Sequence, residues 1–325
     1  MTSSDSVAGR DRPGDEAYAG RDRPGYEGFA GRDRPGDEGY FPRGSSLLRR
    51  VMRERAVNLL YGQRALMIGA LQPVGFIGTT QRSTAHNRPW KRLVHTAEMF
   101  DAVFFGTREE ADKALQFTHR LHQRVNGRID VHIGPYGPDT RYDALDPKLM
   151  LWVTAPVFDS ARVLYESFVR RLSDREREQL YTETVHWGEL FGMPREAMPS
   201  TYAEFAEWWP QQVRGESVFL TPEARTVGLN IGLRMPAPRP LQPAMRVAGF
   251  LIVGSLPQIV REHYGLRWGR TEQLAHDGLA LAARRSRALL PARIRRGSSA
   301  DAYQLLSRTE CERIRSGKRS FEAVA

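Results

Sequence analysis

The stretch DPKLMLWVTAPVFDSARVLYESFVRR, residues 146–171, decides the fold class. Asp146 can cap the first turn of a helix through its carboxylate, and Pro147 suits the first helical position. Apolar residues then recur at helical spacing to the end of the stretch. Ser173 and Glu176 follow as a capping box, in which two side chains satisfy free N–H groups at the start of a second helix. The sequence therefore predicts two successive helices with defined starts.

Similar signals recur on both sides of this stretch. Further helices are indicated from Thr107 with Glu110, from Thr201 with Glu204, from Thr221 with Pro222, and over 242–264 and 270–290. Gly127 is the expected C′ glycine of the helix that begins at Thr107. Residues 128–143 place Gly, Pro and Asp at turn positions and indicate a loop or short hairpin. Because strand-like alternation is nearly absent, we predict an all-α fold, a single large domain of roughly ten helices.

The chain divides into three parts. Residues 1–44 contain a tandem repeat of period 11, which reads GRDRPGDEAYA from Gly9, GRDRPGYEGFA from Gly20 and GRDRPGDEGYF from Gly31. These units cannot bury enough apolar area to offset the entropy of the chain, so we predict a disordered arm. Residues 45–296 hold the helical domain, and residues 297–325 form a basic C-terminal tail.

The net charge of +10 comes from 48 Lys and Arg against 38 Asp and Glu. Its basic excess is greatest near the C-terminus, and a basic tail can bind nucleic acid or anionic lipid. Nucleic acid is disfavoured because the sequence has no helix-turn-helix, zinc-finger or ribonucleoprotein motif. A solvated, arginine-rich tail is the preferred interpretation, and peripheral membrane contact stays open.

The composition and the motifs that are absent exclude several kinds of site and indicate a cellular compartment. A single cysteine, Cys311, excludes a disulfide framework and a thiolate zinc cluster. No apolar run of about 18 residues indicates a membrane-spanning helix, and no secretory signal is visible. We therefore expect a soluble, cytoplasmic protein. The sequence also lacks the phosphate-binding, nucleophile-elbow and H-E-x-x-H motifs.

The histidines are unevenly distributed, since five of the eight lie within 47 consecutive residues. They are His86, His95, His119, His122 and His132. His122 lies in the apolar-looking part of its helix, whereas His119 is expected at the surface. On the preceding predicted helix, Arg92, His95 and Thr96 share one face at i, i+3 and i+4. A turn between the two helices would bring this triplet towards His122.

Such an arrangement suits a porphyrin. Helices supply apolar walls, one neutral imidazole can bind the iron axially, and an arginine can pair with a propionate. The residues alone leave other readings open. A helical histidine on an apolar face is more often a hydrogen-bonded core residue, and a histidine-rich stretch could also hold zinc or non-haem iron. No Asp or Glu shows the spacing of a facial triad with these histidines.

Other titratable groups have simple structural explanations. Asp159 could pair with Arg162 at i+3 on the helix that begins after Asp146. Glu183 and His186, also three residues apart, fit a helix-surface pair as well as an acid–base pair. Neither pair therefore competes with the histidine cluster as a candidate site.

The run KRLVHTAEMFDAVFFGTREEADKALQFTHRLHQRVNG, residues 91–127, resembles the MpaB-type oxygenase family. This family shares its catalytic domain with the rubber oxygenase called latex-clearing protein. The resemblance continues in chain order through residues 142–194, 198–209, 239–275 and 287–295. No single motif is specific, but the ordered series over about 47–296 identifies the chain as a member of the family.

The resemblance implies an all-helical fold with a buried haem b pocket and an oxygen-dependent reaction. In rubber oxygenases that reaction cleaves an isoprenoid carbon–carbon double bond. Carried over by position, it implies that His122 is the proximal ligand of the haem iron. Arg92 would line the distal side or meet a propionate, and His95 and Thr96 would complete the distal, catalytic side. Asn126 falls where the family has an arginine of the haem pocket.

Three departures from the family pattern argue against rubber cleavage as the reaction of this chain. His95 stands where the rubber enzyme has a distal lysine, and its basicity is different. Asn126 replaces a charged partner of the haem, and Thr154 replaces a histidine in the family's W-V-H-A segment. We therefore expect a lipid, an isoprenoid or a secondary metabolite as the substrate, together with dioxygen.

Three functional hypotheses follow. The leading one is a haem b oxygenase that acts on a lipophilic small molecule. The second is a non-catalytic or degenerate protein of the same fold that binds haem or another small ligand. The third is an adaptor that binds nucleic acid or a membrane surface through residues 297–325. The sequence leaves the substrate, the electron source and the oligomeric state open.

Overall fold

A computed structural model describes residues 38–81 and 89–318, and most of these residues are helical. The helices are α1 (Leu47–Arg53), α2 (Arg55–Asn58), α3 (Tyr61–Gly69), α4 (Pro73–Gln81), α5 (Pro89–Phe105), α6 (Arg108–His122), α7 (Pro147–Phe168), α8 (Asp174–Leu190), α9 (Tyr202–Arg214), α10 (Pro222–Leu233), α11 (Gln242–Ser255), α12 (Gln258–Tyr264), α13 (Arg270–Ser286), α14 (Ala292–Arg295) and α15 (Ser299–Arg315). The mostly helical class is confirmed for this part of the chain. None of the helices described there is long and apolar enough to cross a membrane. The repeat up to residue 37 and His86 lie outside the described residues.

Local side-chain bonds set the helix starts, as the sequence predicts. At α6, the Glu110 N–H donates to Thr107 Oγ1 at 3.2 Å, and the Thr107 N–H donates to the Glu110 carboxylate at 2.8 Å. The capping box at the start of α8 is also formed. At α7, the Asp146 carboxylate accepts from the Lys148 N–H at 2.9 Å. These predictions are confirmed because capping depends on neighbours in sequence.

The segment between α6 and α7 forms the expected hairpin, with antiparallel strands β1 (Asn126–Arg128) and β2 (Arg141–Asp143). Since α6 ends at His122, the prediction that Gly127 terminates this helix is wrong. Gly127 instead lies opposite Tyr142, where a β-carbon would stand 2.6 Å from the tyrosine Oη. A glycine is required here because the ring of Tyr142 lies against its backbone.

The predicted helix over 242–264 is divided into α11 and α12. Leu256 adopts an extended conformation, with φ −68° and ψ 146°, and Pro257 follows it. A proline disfavours the helical conformation in the residue before it, because its Cδ clashes with that residue's backbone. The single continuous helix is therefore wrong, and the proline marks the break.

Helix α7 lies at the centre of the core and contacts α2, α3, α8 and α13. Its Phe158 is fully buried and makes edge-to-face contacts with Tyr181 at 5.1 Å and with Phe205 at 4.9 Å between ring centroids. Burying one such side chain contributes about 1.5–3 kcal/mol. The aromatic cluster therefore fixes α8 and α9 against α7.

A buried arginine joins three helices. The Arg64 guanidinium on α3 pairs with the Asp159 carboxylate at 2.8 Å, and it donates to Ser160 Oγ at 2.9 Å and to the Ser255 carbonyl oxygen at 2.9 Å. Burial lowers the pKa of Arg64, and Asp159 opposes that shift. Burial alone would raise the pKa of Asp159, but Arg64 and Arg162 hold it below its usual value. The predicted pair of Asp159 with Arg162 is confirmed, at 3.0 Å.

The predicted surface pair of Glu183 with His186 is wrong. The Glu183 carboxylate accepts from the Ser46 hydroxyl at 2.8 Å and from the Leu48 N–H at 2.7 Å, so it caps the start of α1. His186 instead pairs with Glu189 at 3.2 Å. Glu183 turns away from its own helix because the free N–H groups of α1 attract a carboxylate.

The C-terminal segment is not a solvated tail where the structure describes it. Helix α15 packs on α5 and buries Tyr303 and Leu306. The Asp101 carboxylate of α5 accepts from the Ala300 N–H at 3.0 Å, at the start of α15. The interpretation of residues 297–325 as a basic tail is thus wrong for residues 299–315. Most residues of this segment are polar or charged, and the few apolar ones that form its buried face did not stand out in the sequence.

Asp101 makes stability depend on pH. Burial raises the pKa of its carboxyl to about 7, whereas an unfolded aspartate titrates near 3.8. The raised pKa means that the contribution of this group is full below pH 4 and is lost as the pH rises through 7. Replacing Asp101→Asn keeps an acceptor for Ala300 but removes the titration. Relative to wild type, the variant should gain about 2–3 kcal/mol in free energy of unfolding between pH 5 and pH 8.

Urea unfolding of both proteins at the two pH values measures this difference. The matched comparison cancels the titration of all other groups. An identical difference between variant and wild type at pH 5 and at pH 8 would contradict the assignment of a raised pKa to Asp101.

Candidate functional site

The candidate site is built on the pair of packed helices α5 and α6. Arg49 of α1 fixes the turn between them. Its guanidinium donates to the carbonyl oxygens of Phe104 and Phe105, each at 3.1 Å. These carbonyls end α5 and have no partner within the helix. A buried cation at the C-terminal end of α5 therefore holds the reversal of the chain in place.

The predicted triplet lies on one face of α5. Thr96 is exposed, and its hydroxyl donates to the Arg92 carbonyl oxygen at 3.2 Å. The His95 side chain is 25% exposed, and its Nδ1 lies 3.1 Å from the Glu98 carboxylate. Glu98 is a neighbour of His95 that was not among the predicted site residues, although its i+3 position is a spacing at which helical side chains meet. The pair fixes the orientation of the imidazole.

His122 is the last residue of α6 and is half-buried. Its Nδ1 is buried and has no hydrogen-bond partner among the described residues. Burial and the nearby His119 lower the pKa of His122, and the Asp143 carboxylate opposes this shift. The imidazole is therefore neutral at pH 7, which is the form that binds a metal.

The helical rise places these groups at similar levels. His95 lies about 15 Å along α5 from the turn, and His122 lies about 21 Å along α6 from the same turn. They therefore differ by about one helical turn along the axes of two packed helices. Along their lengths, α5 and α6 also carry half-buried apolar side chains, namely Leu93, Met99, Phe117 and Leu121.

Asn126 has a structural contact at the end of α6. It is exposed in β1, and its amide nitrogen donates to the Gln123 carbonyl oxygen at 2.9 Å. The side chain thus braces the residues that immediately follow His122. Where the family pattern has a charged residue, this chain has a neutral amide engaged with the backbone.

Thr154 is a core residue. It is buried, and its hydroxyl donates to the Met150 carbonyl oxygen at 3.2 Å. A β-carbon at Gly188 of α8 would stand 2.9 Å from the Thr154 hydroxyl oxygen and 2.7 Å from Met193 Cε. The space around Thr154 is therefore filled by α8, and two helices pack closely at this position.

A metal site built from several side chains is not formed in the part of the chain that the structure describes. There, no three His, Cys, Asp or Glu side chains lie close enough to share one ion. His119 and His132 are exposed, as expected for His119. A zinc or non-haem iron site needs several such ligands, whereas haem needs only one axial histidine from the protein.

Comparison with known proteins supports the family-level reading. A sequence model described as the catalytic domain of ER-bound oxygenase mpaB/B′ and rubber oxygenase matches residues 49–285. Uncharacterized proteins of Mycobacterium bovis and Mycobacterium tuberculosis are each 24% identical to the chain over 216 residues, which is 64% of this chain and 78% of each relative. No solved structure matches the chain.

The packing at Thr154 yields a test of whether this position faces a pocket. Replacing Thr154→His should lower the free energy of unfolding by about 1–3 kcal/mol, because the larger ring must displace α8 at Gly188. Thr154→Val is the matched control, since it keeps the volume and loses only the hydroxyl. Urea unfolding compares the three proteins. A histidine variant as stable as the valine variant would mean that the position opens into free space.

Proposed function

We propose, from the premise that the chain belongs to the family of the mpaB and rubber oxygenase catalytic domain, that it is a haem b oxygenase. Its substrates would be dioxygen and a lipophilic small molecule. The observation that carries the proposal is the buried Nδ1 of His122, which has no partner among the described residues. His122 lies on α6, and α6 packs on α5, the helix that carries Arg92, His95 and Thr96. A buried polar atom without a partner favours a missing ligand.

The residues present fit a haem. His122 supplies a neutral imidazole for axial binding, and a single protein ligand is sufficient for this cofactor. The half-buried apolar side chains of α5 and α6 suit the flat, apolar body of a porphyrin. Arg92, one of the few cations on this face, would pair with a propionate through its guanidinium.

The distal side would be formed by α5. Bound haem would supply the activation of dioxygen, which no side chain of this site can provide. His95 would present one ring nitrogen towards the reacting groups while Glu98 holds the other at 3.1 Å. Thr96 offers a hydroxyl one residue further along the helix. His95 can donate a hydrogen bond and exchange a proton beside the substrate, and the Thr96 oxygen, whose proton is donated to the Arg92 carbonyl oxygen, can accept a hydrogen bond.

The lipophilic substrate is proposed from the apolar side chains that α5 and α6 leave partly exposed. Leu93 and Met99 on α5 and Phe117 and Leu121 on α6 are only half-buried. Half-buried apolar side chains are better suited to contact a hydrocarbon than a charged metabolite, because a charged ligand would lose its hydration against them. The cytoplasmic location expected from the sequence is part of this proposal.

The second candidate is a non-catalytic protein that binds haem or another small ligand on this fold. It is favoured by Asn126, whose amide is engaged by the Gln123 carbonyl where the family has a charged haem partner. This candidate differs from the first in only one respect. It predicts a haem spectrum without oxygen consumption.

The assignment of His122 as the haem ligand predicts that the Soret band is lost when this side chain is removed. Protein expressed with a haem precursor should show a Soret band, and His122→Ala should lose most of it because the axial ligand is gone. His119→Ala is the matched control on the same helix, since His119 is exposed, and it should keep the band. Absorption spectra with haem quantification test this. An undiminished band in the His122 variant would refute the assignment.

Oxygen uptake separates the two candidates. With unsaturated lipids and isoprenoids as probes, the holoprotein should consume dioxygen, and His95→Ala should consume it at least about 100-fold more slowly because a proton donor is lost. An oxygen electrode measures the rates. A full haem spectrum with no uptake for any probe would favour the binding protein.

A further inference from the structure

The segment between α13 and α15 has three solvent-exposed apolar side chains. Leu289 is 83% exposed, Ile294 is 48% exposed and Leu290 is 41% exposed. Single exposed leucines are ordinary on protein surfaces. Three large apolar side chains within residues 289–294 form a local patch, and such patches mark interaction sites. We refer to residues 287–296 as the α13–α15 loop.

The backbone of this loop is braced from beneath. The Arg55 guanidinium donates to the carbonyl oxygens of Ile294 and Arg296, each at 2.8 Å. The Gly297 N–H donates to the Arg53 carbonyl oxygen at 3.1 Å, and Arg287 pairs with Glu54 at 2.6 Å. These bonds prevent the loop from collapsing to bury its leucines, so their exposure is built into the fold.

The apolar tip is surrounded by positive charge. Arg285, Arg293 and Arg296 are exposed. The sequence from residue 278 to residue 300 contains six arginines and no acidic residue. The acidic group that reaches this segment, Glu54, is already paired with Arg287. The patch therefore combines exposed hydrocarbon with a strong positive field.

One face of α13 extends the patch. Leu274, which is 73% exposed, and Leu281, also exposed, lie seven residues apart and so share a face of the helix. Arg285 continues the same face one turn later, next to the loop. Asp277, whose side chain is 63% exposed, lies between Leu274 and Leu281 on this face. The continuous apolar and basic surface therefore comprises Leu281, Arg285 and the tip.

We propose that the C-terminal end of α13 and the α13–α15 loop dock the protein on the surface of an anionic lipid bilayer. Leucines and an isoleucine enter the boundary between headgroups and acyl chains, while arginines extend their guanidinium groups to the lipid phosphates. Anionic lipid attracts each surface arginine, and the exposed leucines add apolar burial that a vesicle can supply. This surface is separate from the haem site and does not depend on it.

Other occupants fit the surface less well. A nucleic acid would use the arginines but would leave Leu289 and Leu290 without an apolar partner. In a symmetric dimer the same patch meets itself, which would place Arg293 and Arg296 close to their own copies. A bilayer satisfies both the charge and the hydrocarbon. Helix α15 packs one face on α5, so residues 299–315 are not the free basic tail from which the alternative of binding through residues 297–325 starts.

Vesicle flotation of the full chain tests the proposal. The protein should float with vesicles of phosphatidylcholine containing phosphatidylglycerol, and much less with phosphatidylcholine alone. Replacing Leu289→Ser, Leu290→Ser and Ile294→Ser together should weaken binding at least about tenfold, because apolar insertion is lost. Replacing Arg285→Gln, Arg293→Gln and Arg296→Gln together should abolish the preference for anionic vesicles.

Leu305→Ser is the matched control, since Leu305 of α15 is 42% exposed, as Leu290 is, but lies outside the loop. It should bind vesicles as wild type does. Circular dichroism and haem content of each variant separate a docking defect from misfolding and from failure of the haem proposal. The proposal is overturned if the serine variant still floats, if the wild type binds duplex DNA but no vesicle, or if it forms dimers that the serine variant lacks while no vesicle is bound.

Discussion

The fold depends on one buried guanidinium, that of Arg64, which needs hydrogen-bond acceptors from two other helices. Arg64 is fixed by Asp159, by the Ser160 hydroxyl and by the Ser255 carbonyl oxygen, so α3, α7 and the end of α11 can meet in only one register. A buried guanidinium without these partners would be strongly destabilising. The aromatic cluster around Phe158 then fills the space on the remaining faces of α7.

The core and the candidate site differ in how deeply their apolar side chains are buried. Around α7, charges are paired and apolar side chains are buried. On α5 and α6, apolar residues stay half-buried, and the Nδ1 of His122 has no partner in the described residues. Other buried side chains of the described residues also have a polar atom without a partner, among them Trp187 and Trp209. An indole N–H can only donate a hydrogen bond, whereas the neutral imidazole of His122 can bind a metal. The turn held by Arg49 and the contact of Asn126 with Gln123 keep both ends of this helix pair rigid.

Features that depend on near neighbours in sequence could be predicted. The caps at Thr107 and Asp146 and the face shared by Arg92, His95 and Thr96 are of this kind. Features that depend on distant partners could not. Glu183 caps α1 across more than a hundred residues, and α15 is held by Asp101 across about 200. Periodicity describes one segment at a time, so it cannot show which segment covers another. Pro257 marks the break before α12, but it interrupts a long apolar run that by itself favours one continuous helix.

The central claim is that His122 binds a haem iron, and ligand replacement tests it most directly. In His122→Gly the imidazole is removed but the space it occupied is kept, so free imidazole can enter and act as the axial ligand. We expect the glycine variant to lose the Soret band of the wild type and to regain it when imidazole is added. A Soret band that is the same in the wild type and in the glycine variant, with or without imidazole, would contradict the account.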